Sequence, residues 1–269
     1  MSEALQALFP HGLLVAAVAA FLRANLAMGA AMLVVAVLRP AVRRWAGPAE
    51  AYRLWWAPVL AASLAPLVCL AGAPDPLAAM LAARPELLRD AARTWAGGFC
   101  LLAGVFAFAQ ARFHAQLRAG RAGPAAIGFI APRIIMPRDD GAFTAQEREL
   151  IRAHERQHVA RKDPRGLAAA TLVQCVCWFN PLVHIAAGLL RLDQELACDA
   201  AVILRRPSAR GLYARTLLKS QMMMRPPPLA CGWLALGRHP LELRIAQLKR
   251  RGPATALGPV HASSDAIRP

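Results

Sequence analysis

Long apolar stretches alternate with arginine-rich stretches along the chain. A membrane-spanning helix needs about 20 apolar residues, and four stretches approach that length: Gly12 to Leu38, Leu54 to Pro74, Thr94 to Ala111 and Gly166 to Leu190. The first is interrupted only by Arg23 and Asn25. It is too long for the apolar part of a cleaved signal peptide, and no basic residue precedes it. We therefore predict a transmembrane region over residues 1–111, with spans at about 12–38, 54–74 and 94–111.

From residue 112 to about residue 250 the pattern is that of a folded domain with polar surfaces. The segment from Ile127 to Met136 is rich in isoleucine and predicts a strand. Pro132 assigns this strand to a sheet edge or a bulge, because proline cannot donate a ladder hydrogen bond. The sequence thus predicts a mainly α, polytopic membrane protein with a small edge-strand sheet, and a disordered tail over 251–269.

The helices of this domain have recognisable starts and stops. Thr144 followed by Glu147 has the spacing of a capping box and opens a helix that runs to about Lys162, where Pro164 stops it. A second long helical region ends near Val202. The remaining predictions are a loop at Arg205 to Gly211 and helices at Tyr213 to Met224 and Leu241 to Leu248.

Composition supports the membrane interpretation. The chain is 57% hydrophobic and 18% charged with a formal net charge of +16, which excludes both a disordered chain and an ordinary soluble domain. Of the 32 basic residues 29 are arginine, and most lie at the edges of apolar runs, as in membrane proteins. Because no nucleic-acid-binding module accompanies the charge, we predict no direct contact with nucleic acid.

The distribution of arginine predicts the orientation. The loop between the first two spans contains four arginines and only Glu50, the loop from Asp75 to Arg93 is balanced, and five arginines follow the third span before any acid. Arginine-rich loops stay in the cytoplasm. We expect the N-terminus outside, everything after about residue 112 in the cytoplasm, and reduced cysteines there.

The strongest chemical signal is the run His154-Glu155-Arg156-Gln157-His158. A spacing of four puts both imidazoles on one helix face, where they can bind one zinc ion, and Glu155 can stay off the metal and act as a general base towards water. The predicted helix with its cap makes the pattern more specific than the spacing alone.

A catalytic zinc needs a third protein ligand and an open position. The best candidate is Glu195, and Asp199, four residues further on, is placed to accept the N–H of a ligating histidine. On spacing alone, an acidic surface turn remains an alternative. If residues 166–190 crossed the bilayer once, His158 and Glu195 would lie on opposite sides, so this segment must be re-entrant or buried, with a break at Asn180-Pro181.

In this order the motifs resemble the membrane metallopeptidases of the BlaR1/MecR1 type, peptidase family M56. The resemblance covers roughly residues 127 to 220 and the layout of the N-terminal spans. It rests on the following residues: Pro132 to Pro137, His154 to His158, Asp163, Trp178 to Val183, Glu195 with Ala197 to Asp199, and Tyr213-Ala214.

The resemblance implies a zincin-like, cytoplasmic gluzincin domain with His154, His158 and Glu195 as zinc ligands and Glu155 as base. It implies that a substrate peptide lies along the edge strand that includes Ile134, Ile135 and Met136, although plain core packing of that strand is equally compatible with the sequence. His239 and Arg244 resemble a C-terminal motif in which such a residue stabilises the transition state. The implied protein partner is a winged-helix repressor of the BlaI/MecI type.

Two departures from that family bear on function. About 70 residues follow Asp199 without a long apolar run, and the chain contains no Ser-x-x-Lys acylation motif, so the sequence gives no support for direct sensing of a β-lactam. We expect an integral membrane zinc endopeptidase that cleaves a transcriptional repressor or itself in antibiotic or cell-envelope stress signalling. The alternatives are a signalling adaptor with a structural or vestigial zinc site and a housekeeping membrane-protein protease.

Overall fold

A computed structural model describes residues 11–67, 75–120, 123–128, 131–136, 141–223 and 240–249. These residues form helices and one small antiparallel sheet. His239, Met224 and the predicted tail 251–269 lie outside the described residues.

The N-terminal part of the chain is helical. Its elements are α1 (His11–Trp45), α2 (Pro48–Arg53), α3 (Trp56–Leu64), α4 (Pro76–Ala82) and α5 (Pro85–Arg118). Helices α2, α4 and α5 begin with proline, whose missing N–H has no partner in a first helical turn anyway.

Two of the described helices, Gly12–Trp45 and Pro85–Arg118, are long and apolar enough to cross a membrane. They contain the first and third predicted spans. The described part of the second predicted span contains only the nine-residue helix α3, and residues 68–74 lie outside the described ranges, so that span stays a prediction.

The remaining elements surround the histidine motif. They are β1 (Ala125–Ile127), β2 (Arg133–Ile135), α6 (Ala145–Ala160), α7 (Asp163–Val176), α8 (Pro181–Arg205), a 3-10 turn (Pro207–Ala209), α9 (Arg210–Met223) and α10 (Pro240–Lys249). The predicted ends of these helices differ from the observed ones by up to three residues. The loop predicted up to Gly211 is shorter, because α9 begins at Arg210.

The prediction of one strand from Ile127 to Met136 is wrong, because this segment folds back on itself. Strands β1 and β2 pair antiparallel, with Ala126 opposite Ile134. Gly128 has φ +102, and a Cβ atom there would lie 2.4 Å from the carbonyl oxygen of Ala131. Only glycine tolerates that conformation and that close approach, so the chain turns at Gly128.

The helix predicted to stop before Pro164 does so, and Pro164 also lies in the first turn of the next helix. Helix α6 ends at Ala160, and Lys162 takes a left-handed conformation with φ 60. Pro164 then occupies the first turn of α7. The left-handed residue redirects the chain, and α7 folds back against α6.

The apolar segment 166–190 forms parts of two helices, α7 and α8, joined by a turn at 177–180. The Asn180 side chain accepts a hydrogen bond from the Leu182 N–H at 3.0 Å and caps α8, so the turn lies at the break that Asn180-Pro181 predicted. Its Nδ2 also donates to Asn25 Oδ1 of α1 at 2.9 Å. The hairpin therefore lies beside α1.

Two apolar clusters hold the helices around the motif. The larger cluster joins α6, α8, α9 and α10 and consists of Leu150, Val202, Ile203, Tyr213, Leu217 and Leu248. The smaller one joins α1 to the hairpin through Met28, Cys177 and Val183. Together they fix α8 between α1 and α6.

Candidate metal centre

Helix α6 carries both histidines of the motif. The Glu147 N–H donates to Thr144 Oγ1 at 3.3 Å, and the Thr144 N–H donates to Glu147 Oε2 at 2.8 Å, which confirms the predicted capping box. Because four residues make about one helical turn, His154 and His158 project from one face. Their side chains are only 10% and 13% exposed.

Three donor groups meet beside this face. The Nε2 atoms of His154 and His158 lie 3.1 Å apart. Glu195 places Oε2 at 3.3 Å from the first and Oε1 at 3.5 Å from the second. A tetrahedral zinc ion with bonds of about 2.0 to 2.1 Å holds its donors about 3.3 Å apart, so the observed separations fit one such ion.

The outer nitrogen of His154 is held by Tyr213 and Asp199. The Tyr213 hydroxyl lies 2.8 Å from His154 Nδ1 and donates its proton to Asp199 Oδ1 at 2.7 Å. Since that hydroxyl has one proton, it accepts from Nδ1–H, which leaves the Nε2 lone pair of His154 directed at the donor site. Asp199 is fully buried and also lies 3.3 Å from Nδ1.

The outer nitrogen of His158 is held by Asp163. Its Nδ1 lies 2.7 Å from Asp163 Oδ2, and Arg161 donates to the same oxygen. Burial raises the pKa of Asp163, but the hydrogen bonds from His158 and Arg161 outweigh it and lower that pKa. Each histidine thus has a carboxylate partner that orients the ring, the arrangement usual for metal-bound histidine.

Arg244 contacts two of the three acidic residues of α8, Glu195 and Asp199. It is buried, and its Nε and Nη2 each lie 2.8 Å from an oxygen of Asp199. Its Nη1 lies 2.8 Å from Glu195 Oε2. The guanidinium group therefore holds Glu195 towards the histidines.

The charges of the site favour a bound cation. Burial lowers the pKa of His154, but hydrogen bonds and charge from Asp199 and Glu195 raise it to about 10. For His158 the hydrogen bonds to Asp163, Cys198 and Glu195 likewise outweigh burial and raise the pKa to about 12. Burial raises the pKa of Glu195, yet Arg244 and the two histidines hold it well below its usual range. The carboxylates therefore stay ionised and stabilise positive charge between the imidazoles.

Glu155 lies beside the sheet. Its side chain is buried, which raises its pKa, and it takes a backbone hydrogen bond from Ala126 of β1. A carboxylate with a raised pKa is suited to proton transfer near neutral pH. The strand that contacts Glu155 is thus β1, whereas the residues predicted for the substrate edge lie in or after β2: Ile134, Ile135 and Met136.

Cys198 is a second potential donor close to both histidines. Its Sγ lies 3.4 Å from His158 Nδ1, and Arg161 donates to it at 3.0 Å. Sγ is therefore on the outer side of the His158 ring, away from the Nε2 atom that faces Glu195. Glu195, and not Cys198, would therefore be the third ligand of an ion bound between the two Nε2 atoms.

Sequence analysis assigned neither Tyr213 nor Asp163 a role in the site. Both appeared only as members of the ordered motif. The available signal for Asp163 was its place five residues after His158, across a helix break. Tyr213 carried no local signal, since it reaches His154 only through the packing of α9 on α6.

Comparisons with known proteins agree with this geometry. A family model described as BlaR1 peptidase M56 matches residues 111–248. A 98-residue stretch, 35% of the chain, is 35% identical to Regulatory protein BlaR1 of Bacillus licheniformis and covers 16% of that protein. The chain thus matches only a small part of this relative. No solved structure matches the chain.

Proposed function

The chain belongs to the BlaR1 peptidase M56 family, and from this membership and its donor geometry we propose that it is a membrane-bound zinc endopeptidase. One observation carries the proposal: the two Nε2 atoms lie 3.1 Å apart, and the Glu195 carboxylate places one oxygen 3.3 Å from the first and its other oxygen 3.5 Å from the second. His154, His158 and Glu195 would hold the ion. When bound, zinc supplies Lewis acidity that activates water and polarises the scissile carbonyl.

The residues of the chain supply the remaining chemistry. Glu155 accepts a proton from the attacking water and passes it to the leaving amine. Its buried position, between the two histidines in the sequence of the motif, supports this role. Tyr213 with Asp199, and Asp163 on the other side, fix the two imidazoles so that no reorientation is needed during the reaction. Arg244 is a candidate for stabilising developing negative charge, but its contacts support a role in holding Glu195 and Asp199.

The substrate peptide is proposed to bind in extended form beside the sheet. An added strand forms backbone hydrogen bonds with a sheet edge, and side-chain pockets then give specificity. The contact between Ala126 and Glu155 favours β1 as the strand next to the reacting bond. Residues Ile134 and Ile135 of β2 would support β1 from its other side.

We place the protein in the bacterial cytoplasmic membrane as a multi-pass protein, with the N-terminus outside and the metal centre in the cytoplasm. Helices α1 and α5 support membrane insertion by length and composition, and the arginine-rich loops support the orientation. Green fluorescent protein fused after Arg118 should fluoresce, and alkaline phosphatase fused at the same residue should be inactive. The reverse pattern would refute this orientation.

The proposed substrate is a cytoplasmic transcriptional repressor of the winged-helix type, or the chain itself. The matched relative is named a regulatory protein, which supports a role in regulatory proteolysis. We propose that this proteolysis serves antibiotic or cell-envelope stress signalling. The chain would recognise a protein substrate and would make no direct contact with nucleic acid.

The test uses Glu155→Gln in the full chain. This variant should bind zinc as tightly as the wild type, lose cleavage by at least a hundredfold, and retain bound substrate for identification by mass spectrometry. Glu149→Gln is the matched control, because Glu149 lies on the same helix with a side chain 56% exposed and pairs with Arg206. Undiminished signalling with Glu155→Gln would instead favour an adaptor with a structural zinc site.

A further inference from the structure

The segment that follows the first membrane helix reaches the metal centre. The hydroxyl of Tyr52, in α2, donates to Asp163 Oδ1 at 3.2 Å. The other oxygen of that carboxylate, Oδ2, lies 2.7 Å from His158 Nδ1. Tyr52 is therefore separated from one of the two histidines by a single carboxylate, although it lies outside the matched segment 111–248.

Tyr52 also contacts the helix that carries Glu195. The Gln194 side chain donates from Nε2 to the Tyr52 hydroxyl at 3.4 Å, and the guanidinium of Arg161 lies over the Tyr52 ring at 5.0 Å. The Tyr52 side chain thus contacts Asp163, the carboxylate that orients His158. It also contacts Gln194, which precedes Glu195 in the chain, and Arg161, which donates to Asp163.

A buried ion pair fixes this segment against α8. Asp193, two residues before Glu195, is fully buried; its Oδ1 lies 2.9 Å from Arg39 and 3.3 Å from Arg43, both at the end of α1. Trp55 donates to its Oδ2 at 2.9 Å. Breaking a buried pair leaves an uncompensated charge, so the end of α1 and the start of the ligand-bearing part of α8 are held in one arrangement.

We propose that Tyr52 is a positioning residue of the metal centre, held against Asp163 and Gln194 by the Arg39–Asp193 ion pair. The proposal rests on the proposed function, since it assigns Tyr52 a role towards the same zinc ligands. His158 contacts one oxygen of the Asp163 carboxylate, and Tyr52 donates a hydrogen bond to the other. Loss of the hydroxyl frees one carboxylate oxygen, and the orientation of the His158 ring becomes less defined.

Tyr52→Phe removes only the hydroxyl and keeps the ring under Arg161. In the purified full chain, zinc affinity is measured by competition with a chelator, and Co²⁺ replaces zinc as a spectroscopic probe of the ligand geometry. Mutating residues that hold metal ligands typically weakens metal binding about 10- to 100-fold. We expect about tenfold weaker zinc binding, a shifted Co²⁺ absorption band, and a fall in kcat with little change in KM.

The controls separate this role from plain packing. Arg53→Ala, on the adjacent and exposed position of α2, should leave zinc affinity and the Co²⁺ band unchanged. Gln194→Met removes the donor to Tyr52 and should weaken zinc binding in the same direction by a smaller factor. Should Tyr52→Phe fail to fold, Gln194→Met alone decides the question. Unchanged zinc affinity and Co²⁺ spectrum in the folded variant would overturn the role of Tyr52.

Failure of the proposed function gives a different result. If the wild type binds zinc no better than His154→Ala does, there is no zinc centre at the histidines and the proposed function falls. If His154→Ala abolishes zinc binding while Tyr52→Phe leaves it intact, only the positioning role falls.

Discussion

The hydroxyl oxygen of Tyr213 lies 2.8 Å from Nδ1 of His154. The same hydroxyl donates to Asp199, so it connects the imidazole to this buried carboxylate. The direct distance from Nδ1 to the nearest Asp199 oxygen is longer, 3.3 Å. The tyrosine thus decides that Nδ1 keeps its proton when the ring of His154 is neutral, which leaves Nε2 free to bind a metal ion.

Removing this hydroxyl should weaken the metal centre. Tyr213→Phe keeps the ring in the apolar cluster of α6, α8, α9 and α10 but leaves Nδ1 and Asp199 without their shared partner. We expect zinc affinity to fall about tenfold, measured by chelator competition. Ser220→Ala on the same helix should leave zinc affinity unchanged, and an equal loss in both variants would rule out a specific role for Tyr213.

Replacing Arg244 should lower the free energy of unfolding. Asp199 has 0% exposure and two bonds to Arg244, so Arg244→Met leaves a buried carboxylate without its cation. Removing one partner of a buried pair costs about 3 to 5 kcal/mol. Chemical denaturation of the zinc-free protein should show this loss, whereas Lys249→Gln, at an exposed position of the same helix, should change stability by less than about 0.5 kcal/mol.

Local sequence signals predicted the scaffold of the site. The capping box, the histidine spacing and the break at Asn180-Pro181 each depend on a few neighbouring residues, and the structure contains all three features. The strand prediction failed where pairing partners had to be chosen, because the pattern of Ile127 to Met136 gave no sign that Gly128 turns the chain.

The outer contacts of the site depend on long-range packing. Tyr213 is 59 residues from His154, and Tyr52 is 111 residues from Asp163. No periodicity or spacing connects residues so far apart, since their distance is set by how α2 and α9 pack on the hairpin and on α6. The sequence could therefore indicate the donor residues and Asp199, but it could not indicate the role of Tyr213 or Tyr52.

The raised pKa of His154 predicts how stability depends on pH. Its pKa is about 10 in the folded protein and about 6.5 when unfolded. A raised folded pKa stabilises the protein fully below the unfolded value, and this stabilisation is lost as pH rises through the folded value. The zinc-free protein should become less stable between about pH 6.5 and pH 10.

Thermal unfolding at several pH values checks this expectation. His154→Ala should reduce the pH dependence of the zinc-free protein, to which the raised pKa of His158 also contributes, whereas His114→Gln, at an exposed position of α5, should leave it unchanged. Zinc competes with the same protons, so zinc affinity should rise with pH over this range. Stability of the zinc-free wild type that rises with pH across this window would contradict the assignment.

Alanine at two adjacent glycines of α5 should have different effects on stability. A Cβ atom at Gly98 would lie 2.1 Å from Trp178 of the hairpin turn, whereas at Gly97 nothing lies within 4 Å. Overpacking costs about 1 to 3 kcal/mol, and alanine gains up to about 1 kcal/mol over glycine in an exposed helix. Gly98→Ala should lower the unfolding temperature in detergent and weaken contact between α5 and the hairpin, while Gly97→Ala should leave it unchanged or raise it. Equal effects of the two substitutions would mean that Trp178 does not pack against α5 in the membrane-bound protein.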